Sequence, residues 1–448
     1  MHSGFVVIVK DLKPHTNADK LQLATFFGET TCVGLNVKEG DKGIYFPCDL
    51  QLSLEYCDTN DLCRTKADGT AGSGYLERDK RNIKAIKLRG EKSCGMYMPL
   101  ESLAFTGIDL NSFQEGDTIT VVNAVEICRK YIPRGNRGGA SGGGGNRTRK
   151  HKEPIAPLFA EHADTEQLAY NLSAFKPGDE IEITLKMHGT SQRTGYLPVL
   201  QGYKRTFFDW LFRRQGTPIY DYGYVSGTRR VVLEDFEGGF YGSNEFREHH
   251  SKTFEGKLWK GETVYYEVVS FTHDGTPIMG SAKVPKEAHK EYGDTMVFHY
   301  GLEKGSDMYI YRMTMTNPDG EVVEYTPDFM RYRCEQMGVK TVPVFAKTIL
   351  DNNSSVLYYT TPDGECHFVA TDEEAHIGEA VKTLAERFYD GPDPIGKTHV
   401  REGVVVRIVN RPRFCAYKHK NFLFKIISGI IAEQPPETAS SDDIAAEL

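Results

Sequence analysis

Residues 185–191 have the sequence LKMHGTS, and they follow the alternating stretch EIEIT at 180–184. Alternation of charged and apolar residues is typical of a strand with one buried face, so Lys186 is expected at a strand end. A lysine amine is a nucleophile only when neutral, and a nearby cation or a desolvating wall favours that form. Gly189 would let the backbone approach a phosphate closely, and His188 would donate to an anion or hold a turn. Taken alone, a lysine in this position is typical of a solvated surface.

Four fragments farther along the chain carry residues suited to binding nucleotides and metals. Glutamates lie in VYYEVVSF (Glu267) and REGVVVRI (Glu402), tyrosines in SDMYIYRM (Tyr309 and Tyr311), and lysines in AYKHKNF (Lys418 and Lys420). Each fragment alone is typical of an ordinary strand. Their order along the chain makes the set specific.

Together, in this order, the fragments resemble the covalent nucleotidyltransferase superfamily of ligases and capping enzymes. The resemblance is closest to RNA ligases of the RNA ligase 2, or nick-sealing, type. That group has Lys-x-His-Gly-Thr where DNA ligases and capping enzymes have Lys-x-Asp-Gly, and this sequence has KMHGT at 186–190. The group's last motif is Lys-x-Lys-Asn, and this sequence has KHKN at 418–421. The resemblance covers residues 158–428.

The resemblance implies an ATP-dependent RNA ligase that joins a 3′-OH end to a 5′-phosphate end in RNA repair or nick sealing. Lys186 would attack the α-phosphate of ATP to form lysyl-AMP, and AMP would then pass to the 5′-phosphate of an RNA strand. The 3′-OH would finally displace AMP. RNA is therefore the implied partner, and Mg²⁺ or Mn²⁺ is the implied metal, because the α-phosphate must be polarised.

The resemblance also assigns roles around the nucleotide. Glu402 would hold the divalent metal, since hard cations prefer carboxylate oxygen. Tyr311 would stack on adenine, with Tyr309 on the same strand face as the alternative. The other implied nucleotide contacts are His188 and Gly189, Glu267 at the ribose, and Lys418 and Lys420 at the triphosphate.

An arginine that grips a phosphate or the 3′-OH end is expected between the nucleophilic lysine and the first glutamate. In YVSGTRRVVL the candidates are Arg229, which we favour, and Arg230, although this stretch departs from the family's Lys-Arg-Thr-Gly. Arg193 follows Lys186 by seven residues. It is either a phosphate or ribose contact or a solvated strand residue.

The chain of 448 residues has room for two or three domains. Residues 1–132 contain the short β-rich runs GFVVIV, LQLATFF, TTCVGL, KGIYFP and TITVV, which predict a small β-barrel or sandwich. HTNADKLQLA and LRGEKSCGMYMPL resemble the OB-like modules of tRNA-binding proteins and of some RNA ligases, which implies an RNA-binding module. Four polar residues of this stretch are expected to build a turn: His15, Asn17, Asp19 and Lys20.

Residues 133–153 contain GNRGGASGGGGNRTRKHK and predict a flexible linker between domains. Between Arg129 and Lys152 there are eight Lys and Arg and no acid, so the linker is either a plain tether or one that also contacts phosphates. Residues 154–430 are predicted to form the nucleotidyltransferase domain. Residues 431–448 are predicted to be an acidic, flexible tail, where phage-type relatives carry a helical domain.

The second domain is predicted to be α+β with mainly antiparallel sheets. HADTEQLAYNLSAF predicts a capped helix from Asp164 or Thr165, with Leu168, Leu172 and Phe175 as its apolar stripe. KTLAERFY is expected to end a second helix, and TVYYEVVSF, SDMYIYRMTM, GVVVRIVN and NFLFKII are expected strands. YKRTFFDWLFRRQGTP at 203–218 is expected to be an insertion. It either contacts RNA or forms a small amphipathic helix that covers the sheet.

Composition limits the remaining possibilities. The net charge of −8 excludes a polycation, although charge is local in the basic linker. No apolar run approaches the roughly 18 residues that cross a bilayer, and no leader pattern is visible, so a soluble cytoplasmic protein without a membrane partner is expected. The nine cysteines, of which Cys57 and Cys63 are closest, favour reduced thiols over a zinc site. Two other hypotheses are a non-catalytic RNA-binding protein on a ligase scaffold, and a GTP-dependent capping-type enzyme or DNA ligase, against which KMHGT in place of Lys-x-Asp-Gly argues.

Overall fold

The computed structural model describes residues 2–48, 50–131, 154–212, 215–233, 235–236, 244–352, 356–370 and 376–433. The chain divides into two compact units. One comprises Met1–Arg134 with Lys425–Gln434, and the other comprises Gly135–Phe424 with Pro435–Leu448. The predicted linker at 133–153 lies outside the described residues, and so does most of the predicted tail.

The first unit is built from short strands joined by turns. They are β1 (Gly4–Ile8), β2 (Lys13–Pro14), β3 (Leu21–Phe26), β4 (Glu29–Gly34), β5 (Lys42–Phe46), β6 (Leu50–Leu52), β7 (Ile86–Leu88), β8 (Glu91–Ser93), β9 (Met96–Pro99), β10 (Thr118–Ile119), β11 (Val121–Val122), β12 (Val125–Glu126) and β13 (Cys128–Lys130). Helix α1 (Leu54–Thr59) and two 3₁₀ helices (Leu100–Thr106 and Leu110–Ser112) complete the unit. The predicted β-rich character of this region is confirmed.

The largest sheet of the first unit has the order β10-β1-β5-β9, and β2-β3-β4 forms a second, three-stranded sheet. Alternate residues of β1 and β5 point into a core that includes Val6, Ile44 and Phe46. The turn expected around His15 is present, because His15 Nδ1 accepts the backbone N–H of Asn17 at 3.0 Å. The OB-like topology and RNA binding by this unit remain predictions.

The second unit contains sixteen strands among the described residues. They are β14 (Glu166–Gln167), β15 (Glu180–Leu185), β16 (Thr190–Lys204), β17 (Thr217–Gly227), β18 (Val232–Leu233), β19 (Glu262–Ser270), β20 (Ser281–Lys283), β21 (Thr295–Val297), β22 (Ser306–Thr316), β23 (Val322–Glu324), β24 (Lys340–Thr341), β25 (Val344–Ile349), β26 (Val356–Thr360), β27 (Cys366–Ala370), β28 (Gly403–Ile408) and β29 (Cys415–Lys420).

Helices of the second unit lie between these strands. They are α2 (Phe207–Leu211), α3 (Glu245–Lys252), α4 (His289–Tyr292), α5 (Pro327–Met337), α6 (Ile377–Glu386) and α7 (Phe422–Glu433), with 3₁₀ turns at Leu168–Tyr170, Leu172–Ala174 and Lys286–Ala288. The division between the two units falls within α7, after Phe424. None of the helices in the described ranges has the length and apolar content that a transmembrane span needs.

Two large sheets organise the second unit. One has the order β14-β29-β28-β15-β25-β26-β27, and the other has the order β18-β17-β16-β19-β22-β23, with β24 beside β22. All their pairs are antiparallel except β14 with β29 and β22 with β24. The α+β prediction is therefore confirmed. Strand β15 belongs to the first sheet and β16 to the second, so residues 186–189 carry the chain from one sheet to the other.

Two local predictions were wrong. HADTEQLAYNLSAF is not an α-helix: Glu166 and Gln167 pair in parallel with β29, and two 3₁₀ turns follow, separated by Asn171 at φ −133°. Two residues of the predicted apolar stripe are nevertheless buried, since Leu168 and Phe175 belong to the core. NFLFKII is not a strand but the start of α7, because a short apolar run does not by itself distinguish a helix from a strand.

Two further predictions need correction in part. Residues 431–433 continue α7 and are not tail, while 434–448 lie outside the described residues. The 203–218 insertion does form a short helix, α2, closed by a reciprocal capping box between Thr206 and Asp209. That helix does not cover the sheet, because the apolar side chains of residues 207, 208 and 210–212 are exposed.

Candidate active site

The crossing between the two sheets places Lys186 beside Glu402. The backbone N–H of Lys186 donates to the carbonyl oxygen of Gly403 at 3.0 Å, which continues the β15–β28 pairing by one residue. Lys186 Nζ lies 2.9 Å from Glu402 Oε1, and Lys420 Nζ lies 3.4 Å from the same oxygen. Two predicted cationic residues and the predicted metal ligand therefore form one cluster.

Glu402 is 4 % exposed and lies just before β28. Burial alone would raise the pKa of this carboxyl, but the charges of Lys186 and Lys420 outweigh burial and hold the pKa well below its ordinary value. The carboxylate is therefore ionised at neutral pH. Its main chain is fixed as well, because its carbonyl oxygen accepts the backbone N–H of Asn421 at 2.9 Å.

His188 completes the surroundings of that carboxylate. Its Nδ1 lies 3.4 Å from Glu402 Oε2, and its ring meets the rings of Phe298 and Phe424 edge-on, at centroid distances of 4.5 and 4.8 Å. The backbone N–H of His188 donates to the hydroxyl of Tyr300 at 2.7 Å. Burial lowers the pKa of the imidazole, and the hydrogen bond with Glu402 opposes that effect only in part. The imidazole is therefore neutral at neutral pH, and its position beside Oε2 orients the Glu402 carboxylate.

Gly189 is required by its close packing against β19. A Cβ at this position would lie 2.4 Å from the carbonyl oxygen of Val268 and 2.8 Å from a methyl carbon of Val269, both on β19. Any side chain would push the motif away from the neighbouring strand. This contact gives one reason for the glycine, and close approach of its backbone to a phosphate remains a prediction.

A cavity beside Lys186 is lined by three other predicted nucleotide-site residues: Arg229, Glu267 and Tyr311. Ser191 on β16 lies opposite Glu267 on β19, and Ser191 Oγ lies 2.9 Å from the hydroxyl of Tyr311. Burial raises the pKa of Tyr311, and the charge of Glu267 raises it further. The ring and the carboxylate therefore face the same space.

Tyr309 has different surroundings from Tyr311. Its hydroxyl lies 3.2 Å from an Asp307 carboxylate oxygen, and Lys340 Nζ lies 5.7 Å from its ring centroid. The ring packs with the core cluster that includes Leu185 and Met187. Of the two tyrosines, Tyr311 is the one that lines the cavity.

The three candidate arginines have different surroundings. Arg229 lines the cavity and pairs with Asp164 at 2.9 Å, and Arg230 pairs with the other oxygen of Asp164 at 3.0 Å. Arg193 is buried, lies 4.3 Å from the ring centroid of Phe159, and donates to the carbonyl oxygen of Ala160 at 2.6 Å. The solvated alternative for Arg193 was wrong, and its observed contacts tie β16 to the segment before β14.

Lys418 lies on β29 between Val405 of β28 and Gln167 of β14. Residues two apart on a strand share a face, so its side chain leaves β29 on the same side as that of Lys420. Lys420 Nζ contacts Glu402, whereas Lys418 lies two residues farther along the strand pair, opposite Val405.

His162 also lines the cavity, although the sequence did not single it out. Its ring centroid lies 5.1 Å from that of Tyr311, edge to face, and its Nδ1 lies 3.2 Å from Arg312 Nη1. Burial lowers the pKa of His162 well below its ordinary value, and the charge of Arg312 adds to this effect. A lone histidine in HADTEQ carries no motif, so its place against Tyr311 arises only from the fold.

Several solved structures similar to this chain are forms of one RNA ligase. A variant of Naegleria gruberi RNA ligase with ATP and Mn is 15% identical at a TM-score of 0.51, and covers 94% of this chain and 98% of its own. The same ligase with PPi is 14% identical at a TM-score of 0.53, and covers 97% of this chain and 99% of its own. A variant with AMP and Mn is 15% identical at a TM-score of 0.53, with 95% and 98% covered.

The sequence comparisons give no match, either to a family model or to a curated protein. The structural likeness extends over nearly the whole of both chains. This chain therefore shares the fold of the Naegleria gruberi RNA ligase.

Proposed function

We propose that this chain is an ATP-dependent RNA ligase that joins a 3′-OH end to a 5′-phosphate end through a lysyl-AMP intermediate. The observation that carries the proposal is the convergence of Lys186, His188, Glu402 and Lys420 beside a cavity lined by Glu267 and Tyr311. The structural neighbours support the choice of nucleotide, since these forms of the Naegleria gruberi ligase are complexes with ATP, AMP or PPi.

The first step would form a bond between Lys186 Nζ and the α-phosphorus of ATP. Lys186 would first lose a proton to water, attack as the neutral amine, and lose a second proton to water as the phosphorus–nitrogen bond forms. The bond from that phosphorus to the oxygen of pyrophosphate would break, and pyrophosphate would leave. Glu402 Oε1 is only 2.9 Å away, but a carboxylate whose pKa is held so low is a weak base. Its role in the proposal is to hold the lysine in line with the nucleotide, and His188 holds Glu402.

The cavity residues would recognise the nucleoside. Tyr311 presents a ring held at its hydroxyl by Ser191, and Glu267 faces the same space. We assign the adenine to Tyr311 and the ribose to Glu267. Arg229, Lys418 and Lys420 would meet the phosphates, where positive charge offsets the charge of the transferring group.

The site also fits a divalent cation. No group of three or more His, Cys, Asp or Glu side chains is placed to hold an ion anywhere in the described ranges. Mg²⁺ and Mn²⁺ are commonly held by one or two carboxylates together with phosphate and water oxygens, and Glu402 and Glu267 are suitable carboxylates. A bound cation would polarise the α-phosphate.

The test is covalent labelling without RNA. The protein is mixed with α-labelled ATP or GTP and with Mg²⁺ or Mn²⁺, then denatured and examined for label. Label from ATP is expected, and it should be released by acid and retained in alkali, as a phosphorus–nitrogen bond requires. Lys186→Ala and Lys186→Arg should both be unlabelled. The arginine keeps the charge opposite Glu402 but does not act as a nucleophile because it stays protonated.

The second half of the reaction is tested with the isolated adenylated protein. Addition of RNA with a 5′-phosphate should move the label to the RNA, and RNA with a 5′-hydroxyl is the control. Label from GTP alone would instead support a capping-type enzyme. No label from either nucleotide, with folded protein and both metals, would overturn the proposal in favour of a non-catalytic RNA-binding protein.

A further inference from the structure

The hairpin of β16 and β17 carries an apolar surface at its tip. Residues 207, 208 and 210–212 of α2 and its C-terminal flank are phenylalanine, tryptophan and leucine, each between 53% and 69% exposed. Phe207 lies 5.9 Å from Trp210 and 6.0 Å from Phe208, measured between ring centroids. Five large apolar side chains in six residues exceed what a solvated turn needs, so the tip is suited to contact a partner.

The charge around the tip favours a polyanion. Lys204 and Arg205 are exposed at the end of β16. Between residues 204 and 214 the sequence has four Lys and Arg and one acid, in a chain whose net charge is −8. That acid, Asp209, is held in the capping box, where it accepts from the backbone N–H and the hydroxyl of Thr206. The basic surplus is therefore local to the apolar tip.

Aromatic rings continue along the hairpin below the tip. Tyr222 and Tyr224 share one face of β17, and Tyr224 stacks on Tyr196 of β16 at a centroid distance of 4.7 Å. Lys260 Nζ lies 4.9 Å from the ring centroid of Tyr222. Rings that alternate along a strand, with cations beside them, form a surface on which successive unpaired bases stack while phosphates meet the cations.

The distance between the tip and the candidate active site is large. Strand β16 begins at Thr190, four residues after Lys186, and has 15 residues. At roughly 3.3 Å per residue, the far end of β16 lies about 45 Å along the strand from its start at Thr190. A partner at the tip would therefore touch the protein far from the reacting ends.

We propose that this aromatic hairpin tip, residues 204–212, binds an unpaired segment of the RNA substrate by base stacking. The inference rests on the proposed function and deepens it, since it assigns to the substrate a single-stranded region remote from the ends that are joined. Bases paired in a duplex present no free faces for this stacking, so the tip would distinguish unpaired from paired RNA.

The chain has two tryptophans, which allows a direct test. In Trp259→Phe, Trp210 is the single tryptophan, and titration with an unstructured oligouridylate should quench its fluorescence. A fully paired duplex of the same length should quench it weakly. Equal quenching by both, or none by either, would overturn the proposal. A change with anionic vesicles but not with RNA would instead assign the tip to a membrane surface, and a change with protein concentration alone would assign it to a second copy of the chain.

A binding measurement with variants separates this inference from the proposed function. Phe207→Ala combined with Phe208→Ala and Trp210→Ala should weaken binding of the oligouridylate by roughly 10- to 100-fold. Labelling of Lys186 by ATP, which needs no RNA, should be unchanged. The control is Tyr358→Ala with Phe368→Ala, two exposed aromatics on β26 and β27. Unchanged binding in the triple variant would overturn the inference and leave the ligase proposal intact. Absence of ATP labelling in the wild-type protein would overturn the ligase proposal itself.

Discussion

Lys186 Nζ lies 2.9 Å from Oε1 of Glu402, a carboxylate that is 4 % exposed and that also pairs with Lys420. The two residues come from separate strands of one sheet, β15 and β28, and each lies one residue outside its strand. The ion pair thus lies at the ends of two inner strands, where the chain leaves this sheet for the second one.

The first prediction concerns Glu402→Gln. The neutral side chain would leave two partly buried lysines without their counter-charge, so the unfolding free energy should fall by roughly 3 kcal/mol near neutral pH. Denaturant unfolding of the variant beside wild type measures this loss. Glu402→Asp keeps the charge and should lose less.

The same pair predicts a pH dependence. The pKa of Glu402 is lower in the folded than in the unfolded protein, so its stabilisation is present above the unfolded value of 4.5 and is lost as pH falls through the folded value. The difference in unfolding free energy between wild type and Glu402→Gln should be constant from about pH 6 to pH 8 and shrink below about pH 4.5. A difference that grew on acidification would contradict the assignment.

Tyr311→Leu should weaken ATP binding while Tyr309→Leu should not. Loss of one stacking ring should raise the Kd for ATP by roughly 10-fold, because base–aromatic stacking contributes about 1–3 kcal/mol. The measurement is equilibrium binding in a Lys186→Ala background, which prevents covalent transfer. Tyr311→Phe, which keeps the ring and loses only the contact with Ser191, is the matched control. The opposite ranking of positions 309 and 311 would assign adenine to Tyr309.

Gly189→Ala should destabilise the second unit by roughly 1–3 kcal/mol, because its Cβ meets the carbonyl oxygen of Val268 at 2.4 Å. Thermal unfolding should show a lower Tm even without nucleotide. Gly223→Ala on β17 is a useful comparison, since the nearest atom to an added Cβ there is 3.5 Å away, an ordinary van der Waals contact. A Gly189→Ala protein with wild-type Tm and weakened ATP binding would favour close phosphate approach as the reason for the glycine.

Asn421→Ala should loosen the support of Glu402. Asn421 Oδ1 accepts the backbone N–H of Phe424 at 3.0 Å, which caps α7, and its Nδ2 donates to the carbonyl oxygen of Tyr389. Loss of the cap should cost roughly 1 kcal/mol. Labelling by ATP should slow, because loss of the cap loosens residue 421, whose backbone N–H donates to the carbonyl oxygen of Glu402. Asn421→Ser retains a capping oxygen and should recover most of the lost stability. Equal stability of the alanine variant and wild type would show that the cap is unimportant.

Much of the site was visible in the sequence because its chemistry is local to short motifs. KMHGT and KHKN each place reactive side chains within a few residues of a strand end, and alternation predicted the strands themselves. β15, β19, β22 and β28 lie where those patterns placed them. Alternation indicates which face of a strand is buried, but it does not show which strand lies beside it in the sheet.

The tertiary structure decided the features that depend on distant neighbours. Glu166 and Gln167 form a strand because they pair with the edge of β29. NFLFKII forms a helix whose first turn is capped by the side chain of Asn421. Arg193 is buried because its guanidinium stacks over the ring of Phe159 and donates to the carbonyl oxygen of Ala160.

The sequence by itself determined the order of the motifs, the α+β class and the residues able to carry the chemistry, because these follow from residue type and local periodicity. Only the tertiary structure decided that Tyr311, and not Tyr309, faces the cavity with His162, and that His188 turns toward Glu402. The physical reason is that burial and charge pairing depend on which strands become neighbours, and strand neighbours are set by the packing of the whole unit.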